Sequence, residues 1–218
     1  MGDLILKETK LERDLGVHFS NDLKWKSHIE KCKAKANALI GMIRKTFIYI
    51  DAKMLRILYL TFIRPVIEFA VPVWSPSLKG DIDEIERIQH RVTRLIPAFK
   101  KIPYEERLEK LRITTLETRR KRGDLIQLFK IFNNYEKVNL INKPKFMPSG
   151  RTQENNMRYI RETTKSDTRH NFLTNRSAHL WNSLPNKATQ SENINKFKAE
   201  IDQAMNDLEH KEKRNKLS

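Results

Sequence analysis

The stretch WKSHIEKCKAKANALIGMI, Trp25 to Ile43, sets Trp25, Ile29, Cys32, Ala36, Leu39 or Ile40, and Ile43 at spacings of three and four. That period describes one face of an amphipathic helix, with Lys24, Lys31 and Lys35 on the other. Ala34, Ala38 and Gly41 form a stripe of small residues, which predicts the close approach of a second helix. Downstream of Asp51, the residues Leu58, Tyr59, Phe62, Ile63, Val66, Ile67 and Phe69 are apolar almost all round the helix. They predict a central buried helix, kinked at Pro65 and ended at Pro72. A third helix opens at Asp81, with Glu84 three residues on as in a capping box, and carries Ile82, Ile85, Ile88, Val92 and Leu95 inward. A short helix at Tyr104–Leu111 and a longer one capped by Thr114 and Glu117, with Leu125, Leu128, Phe129 and Phe132 inward, extend the helical part.

Outward from this block the periodicity fails on both sides. The first twenty residues mix charged and β-branched residues around Gly16, which predicts one or two short strands. Around 139–157 the text turns to Asn, Pro, Gly and Ser, with Pro144, Pro148 and Gly150 as breakers, so a boundary is expected near Ile141. Beyond it, Arg158 to Arg161 reads as a short strand, Phe172 to Leu184 as a helix stopped by Pro185, and Ile194 to Leu208 as a last helix. The fold class is therefore mainly α. Short N-terminal strands occupy 1–20, a helical bundle 21–141 and a linker 142–157. A smaller mixed C-terminal segment with two helices covers 158–210, and a charged tail 211–218. No repeat of 20 to 50 residues is visible.

Composition narrows the function classes. The chain has 218 residues, 39% of them hydrophobic, which suffices for a buried core, and 43 basic against 27 acidic side chains leave a formal charge of +16. A polyanion is the expected partner, nucleic acid ahead of an anionic membrane surface. The single cysteine, Cys32, excludes an internal disulfide framework and a cysteine-rich zinc site. The N-terminal residues Met1 to Leu4 carry no secretory signal, and the apolar stretch Met54 to Trp74 holds Arg56, Arg64, Glu68 and two prolines, so no membrane span is expected. Secretion is not expected, and the location is left open between nucleus and cytoplasm.

No catalytic constellation is legible: no catalytic residue, metal ligand set or cofactor is assigned. The six glycines stand singly and build no phosphate loop. His28 and Cys32, one helical turn apart, are half of a metal site without a second half, and core packing accounts for them more simply. Asp81 and Asp83 serve as cap and dipole complement. The basic clusters say more. Arg87, Arg91 and Arg94 recur at i, i+4 and i+7, a spacing that lines one side of a helix and can follow a phosphate backbone. The bland alternative is a solvated face balanced by Glu84 and Glu86. Arg119, Arg120, Lys121 and Arg122 crowd the positive end of a helix dipole without a matching acidic run, so a counter-anion is expected there, though a nuclear-localisation signal reads the same way. Contacts of this kind are insensitive to base sequence.

The order of short motifs carries a further indication. Leu15-Gly16-Val17, Leu23-Lys24-Trp25, His28-Ile29, Lys35-Ala36-Asn37 and Leu39-Ile40-Gly41 are followed by Tyr59, Arg64-Pro65-Val66-Ile67-Glu68-Phe69-Ala70, Val73-Trp74-Ser75-Pro76 and Ile85-Glu86-Arg87-Ile88-Gln89. Then come Leu111, Leu116-Glu117, Arg119-Arg120, Arg169, Asn171-Phe172, Arg176, Leu180 to Pro185, and Phe197-Lys198. This series, spanning almost the whole chain, resembles the end of the palm, the thumb and the downstream segment of non-LTR retrotransposon reverse transcriptases of the Jockey type. The resemblance implies a thumb-like helical bundle that grips an RNA–DNA or other primer-template duplex without base specificity, and an upstream palm of the same polyprotein as a partner. Segment 1–20 would be the remnant of the palm end. That family is an RNA-directed DNA polymerase, but its catalytic carboxylates lie upstream of the matching region, and this sequence has no adjacent Asp-Asp pair. No catalysis is expected from this chain alone. A helical protein-interaction scaffold, or an inert remnant of such an element, is the competing expectation. Trp74 and Trp181 match family positions and read as packing residues.

Overall fold

The computed structural model describes residues 8–140, 142–147 and 157–215, with side chains described as far as residue 208. The expectations for Met1 to Leu4, Ile141, Pro148 and Gly150 lie outside the described residues. The protein is mainly α, with two small antiparallel sheets of two strands each. It divides into two compact units, 1–119 and 120–218, and the division falls inside one helix rather than in the 142–157 stretch.

In the first unit, β1 (Leu11–Asp14) pairs with β2 (Val17–Ser20) in the register Asp14↔Val17. The two residues between them, Leu15 and Gly16, both take positive φ, +44° and +88°. That is the type I′ geometry whose twist matches a hairpin. α1 (Lys26–Thr46) follows, burying His28, Ile29, Cys32, Ala36, Ile40 and Ile43. This is the face that the period assigns to the core. The small-residue stripe does not work as expected: Ala34 and Ala38 are exposed, and nothing lies within 4 Å of a side chain built on Gly41.

The apolar stretch after Asp51 is broken more finely than its composition implies. α2 (Ala52–Leu58) starts on a proper cap, with Asp51 Oδ1 accepting from the Met54 N–H at 2.7 Å. It passes into a π-type turn at Tyr59–Ile63, in which the Arg64 N–H donates to the Tyr59 carbonyl, and then into α3 (Arg64–Glu68). The wider turn takes up the register that Pro65 disrupts, since proline brings no N–H and its ring would press on the carbonyl four residues back. Phe69 turns extended and Ala70 takes φ +53°, where the chain breaks, and the Trp74 indole donates to the Phe69 carbonyl at 2.6 Å. Pro72 therefore sits in the first turn of α4 (Val71–Trp74) instead of ending a helix. Nor is the stretch buried all round: Ile57, Phe62, Phe69 and Val73 are each about half exposed.

α5 (Lys79–Thr93) begins two residues before the expected Asp81, and no side chain caps it. A 3-10 turn at Pro97–Lys101 leads to α6 (Tyr104–Leu111), which has the expected bounds. Buried Gln89 crosses this core, accepting from the Tyr59 hydroxyl and donating to the Thr114 carbonyl at 2.8 Å, so its amide is satisfied at both ends. Trp74, Tyr59, Ile63, Ile85 and Ile88 lie with the buried face of α1 in one hydrophobic cluster. Each such side chain contributes about 1.5–3 kcal/mol.

α7 (Leu116–Phe132) starts in the first unit, where Thr115 Oγ1 accepts from the Thr118 N–H at 3.1 Å and Glu86 accepts from the Leu116 N–H at 3.1 Å. The cap is thus Thr115 plus a carboxylate lent by α5, not Thr114 with Glu117. The later residues Leu125, Leu128 and Phe129 join the core of the second unit with Tyr159, Trp181, Phe197 and Ile201. There Phe129 stacks on Phe197 with ring centres 4.1 Å apart, and Phe132 meets Trp181 edge-on at 5.0 Å.

Within the expected linker, β3 (Lys145–Phe146) pairs with β4 (Tyr159–Ile160), the strand read from Arg158 to Arg161. The single helix expected over Phe172 to Leu184 is a chain of short turns. These are α8 (Asp167–His170), α9 (Leu173–Arg176), α10 (Ala178–Asn182) and α11 (Asn186–Thr189). Side chains compete for the carbonyls a long helix would need. The Tyr159 hydroxyl donates to the Thr174 carbonyl at 2.6 Å, and Asn175 Nδ2 to the Arg169 carbonyl at 2.9 Å. α12 (Ile194–Asn215) continues into what the sequence marks as the charged tail.

Candidate nucleic-acid interface

α5 holds Ile85, Ile88, Val92 and Thr93 in the core, which turns Arg87, Arg91 and Arg94 outward, all three exposed. The helix packs on α1 through two polar links: Lys33 Nζ to Glu84 at 3.0 Å, and Arg91 Nη1 to Asn37 Oδ1. Two acidic neighbours of the stripe, Glu84 and Glu86, are bonded to other residues. Glu84 binds Lys33, which holds its carboxyl below the usual range, with Arg87 adding a weaker pull. Glu86 accepts from the Tyr104 hydroxyl at 2.5 Å as well as from the start of α7. None of the three arginines forms an ion pair with a carboxylate among the described residues.

The second basic cluster has a different fate. Arg119 makes a two-pronged bond to Glu68, its Nη2 reaching Oε2 at 2.8 Å, and Arg64 approaches the same carboxylate at 3.8 Å. Arg122 grips Asp202 in the same fashion at 2.5 and 2.9 Å. Arg120 is buried near Asp124, whose carboxyl is raised by burial against the opposing pull of Arg176 and, more weakly, of Arg120. Only Lys121 is exposed. The counter-anions expected for this run come from Glu68 and Asp202, residues distant in sequence, which is why the local spacing shows no acidic match. Of the seven basic residues proposed from sequence, four are exposed: Arg87, Arg91, Arg94 and Lys121.

A group that the sequence did not single out as a site lies where the hairpin meets α1. Arg13, His18, Lys31 and Lys35 line a pocket of about 400 Å³, with Phe69 and the edge of Cys32 as its apolar wall. Its only sequence signal is the i, i+4 spacing of Lys31 and Lys35. His28 lies beneath: its Nδ1 accepts from the His18 N–H at 3.2 Å, which leaves the proton on Nε2, 3.4 Å from Cys32 Sγ. Its ring packs edge-on against Trp74 at 4.7 Å. Burial, aided by the nearby His18, lowers the His28 pKa to about 4, and burial raises the Cys32 thiol to about 11. A neutral imidazole beside a protonated thiol is a packed pair and not a nucleophile with its base. Among the described residues no three His, Cys, Asp or Glu side chains converge as a metal site.

Trp74 and Trp181 are structural: both are fully buried, and the Trp181 indole donates to the Met157 carbonyl at 2.9 Å, as Trp74 does to the Phe69 carbonyl. Among the described residues no helix is long and apolar enough to cross a membrane. Comparison with known proteins yields no matching family model, no matching curated protein and no matching solved structure.

Proposed function

We propose that this chain is a nucleic-acid-binding module that grips duplex, an RNA–DNA hybrid or another primer-template, through its phosphate backbone and carries no polymerase site of its own. The observation that carries this reading is the state of α5. Arg87, Arg91 and Arg94 line one exposed side of a helix with no carboxylate between them in sequence, while Glu84 and Glu86 just before them bond to Lys33, Tyr104 and the start of α7. A stripe of exposed arginines that forms no ion pair among the described residues attracts phosphates and reads no base edges. The resemblance to the thumb and downstream segment of Jockey-type reverse transcriptases gives the same assignment, with a palm domain as the protein partner.

The reading is tested by fluorescence anisotropy of the purified chain with labelled RNA–DNA hybrids of several unrelated sequences. Micromolar affinity that is equal across sequences and falls steeply with salt is the expected result. Absence of binding at low salt, or strong preference for one sequence, would refute it.

A further inference from the structure

Between α1 and α2 the chain holds two apolar side chains out into solvent. Ile48 is fully exposed, 107% on the relative scale, and Tyr49 79%. They are not the tip of a slack loop. On one side the Phe47 N–H closes α1 by donating to the Ile43 carbonyl at 3.0 Å, and its ring packs against the core. On the other, Ile50 is buried, and Asp51 is fixed as the cap of α2. The two residues between these anchors are therefore held outward in a defined position.

The surroundings are basic. Arg44 and Lys45 end α1, Lys53 and Arg56 lie on α2, and all four are exposed. The one carboxylate between Met42 and Leu60 is Asp51, already bonded to the Met54 N–H. Asp51, Lys53 and Ile57 border a shallow hollow beside the tip. The contacts Lys33–Glu84 and Asn37–Arg91 increase together along both chains, so α1 and α5 run the same way. The stripe Arg87, Arg91, Arg94 accordingly leads toward the end of α1 from which Ile48 and Tyr49 project.

We propose that Tyr49 is a stacking platform for an unpaired nucleobase, Ile48 packing alongside, and that the module's preferred ligand is a duplex with an adjoining single-stranded segment. The idea rests on the function proposed above and names the ligand of the same surface. An exposed aromatic ring set among basic side chains is the arrangement by which single strands are held regardless of sequence, because every base offers a π-face. Ile48 and Tyr49, even with half-exposed Ile57 nearby, are hemmed in by charge and offer too little surface to anchor a bilayer, whereas one ring matches one base.

The test compares a blunt RNA–DNA hybrid with the same hybrid carrying a short overhang that contains 2-aminopurine, for the unaltered chain, Tyr49→Ala and Tyr49→Phe. Circular dichroism confirms that each variant is folded. The unaltered chain is expected to bind the overhang form roughly five- to thirty-fold more tightly and to quench the 2-aminopurine emission. Tyr49→Ala should lose both effects while keeping its affinity and salt dependence for the blunt hybrid, and Tyr49→Phe should keep both. Equal affinity of the unaltered chain for the two hybrids, or an undiminished preference in Tyr49→Ala, overturns the stacking role and leaves the duplex grip standing. Failure to bind either hybrid overturns both. Loss of phosphatidylserine-vesicle binding or of self-association in Tyr49→Ala, with the overhang preference intact, overturns it in favour of a lipid or protein contact.

Discussion

Replacing His28 by Asn should remove a specific part of the protein's acid sensitivity. In the fold the imidazole is neutral, with a pKa lowered to about 4 from 6.5 by burial and by His18. In the unfolded chain it protonates near the ordinary value, so acid favours the unfolded state. The stabilisation is fully present above pH 6.5, falls as the pH drops, and is lost by pH 4. The whole difference is about 3 kcal/mol, and at pH 5 about 2 kcal/mol has gone. Asn at this position can present Oδ1 where Nδ1 accepts the His18 N–H, but it forfeits the contact with Trp74 and cannot titrate. The variant should therefore be less stable at pH 8, yet lose about 2 kcal/mol less than the parent between pH 8 and pH 5. Urea unfolding followed by tryptophan emission in a Trp181→Phe background confines the signal to Trp25 and Trp74, both in the first unit. An identical pH 8 to pH 5 loss in parent and variant would refute the reasoning. So would an imidazole that titrates near 6.5 in the folded protein by NMR.

Other consequences of the packing are as concrete. Asp124 and Arg176 form a two-pronged pair at 2.7 and 2.8 Å, with side-chain exposures of 7% and 16%, so Asp124→Ala takes the carboxylate from a largely buried guanidinium that keeps its bond to the Asn171 carbonyl, and should cost about 3 kcal/mol in urea unfolding of the second unit. Arg122→Ala removes a pair of similar shape, but Asp202 is half exposed, and its cost should stay within about 1 kcal/mol; equal costs for the two variants would contradict the burial argument. Leu15→Asn relieves a bulky residue held at φ +44° with its side chain in solvent, and should raise the urea midpoint of the first unit by an amount equivalent to about 0.5–1 kcal/mol, whereas an unchanged or lower midpoint would show that Leu15 is anchored by contacts.

The parts of the fold that depend on period were legible in the sequence. The buried face of α1 and the bounds of α6 follow from spacing alone, because an amphipathic helix must turn one fixed stripe inward. The parts that depend on a partner far along the chain were not. Nothing local distinguishes Arg119 and Arg122, tied to Glu68 and Asp202, from Arg87 and Arg94, which have no such tie among the described residues. The same holds for the start of α7, where Glu86 arrives from a different helix, and for α8 to α11, where Tyr159 and Asn175 take carbonyls that a continuous helix would use. The exposed tip at Ile48 and Tyr49 was hidden for another reason. Hydrophobicity in sequence suggests burial, and only the placement of Phe47 and Ile50 reveals that their neighbours are pushed outward.

The most direct test of the central claim is the salt dependence of hybrid binding after Arg87, Arg91 and Arg94 are all changed to Ala. Each phosphate contact contributes about 0.9 to the slope of log affinity against log salt, so three lost contacts should make it shallower by about 2–3. Replacing Arg119 and Arg122 by Ala should leave that slope nearly unchanged, because their charges are already spent on Glu68 and Asp202. An unaltered slope in the α5 variant, or a larger effect from Arg119 and Arg122, would contradict the account.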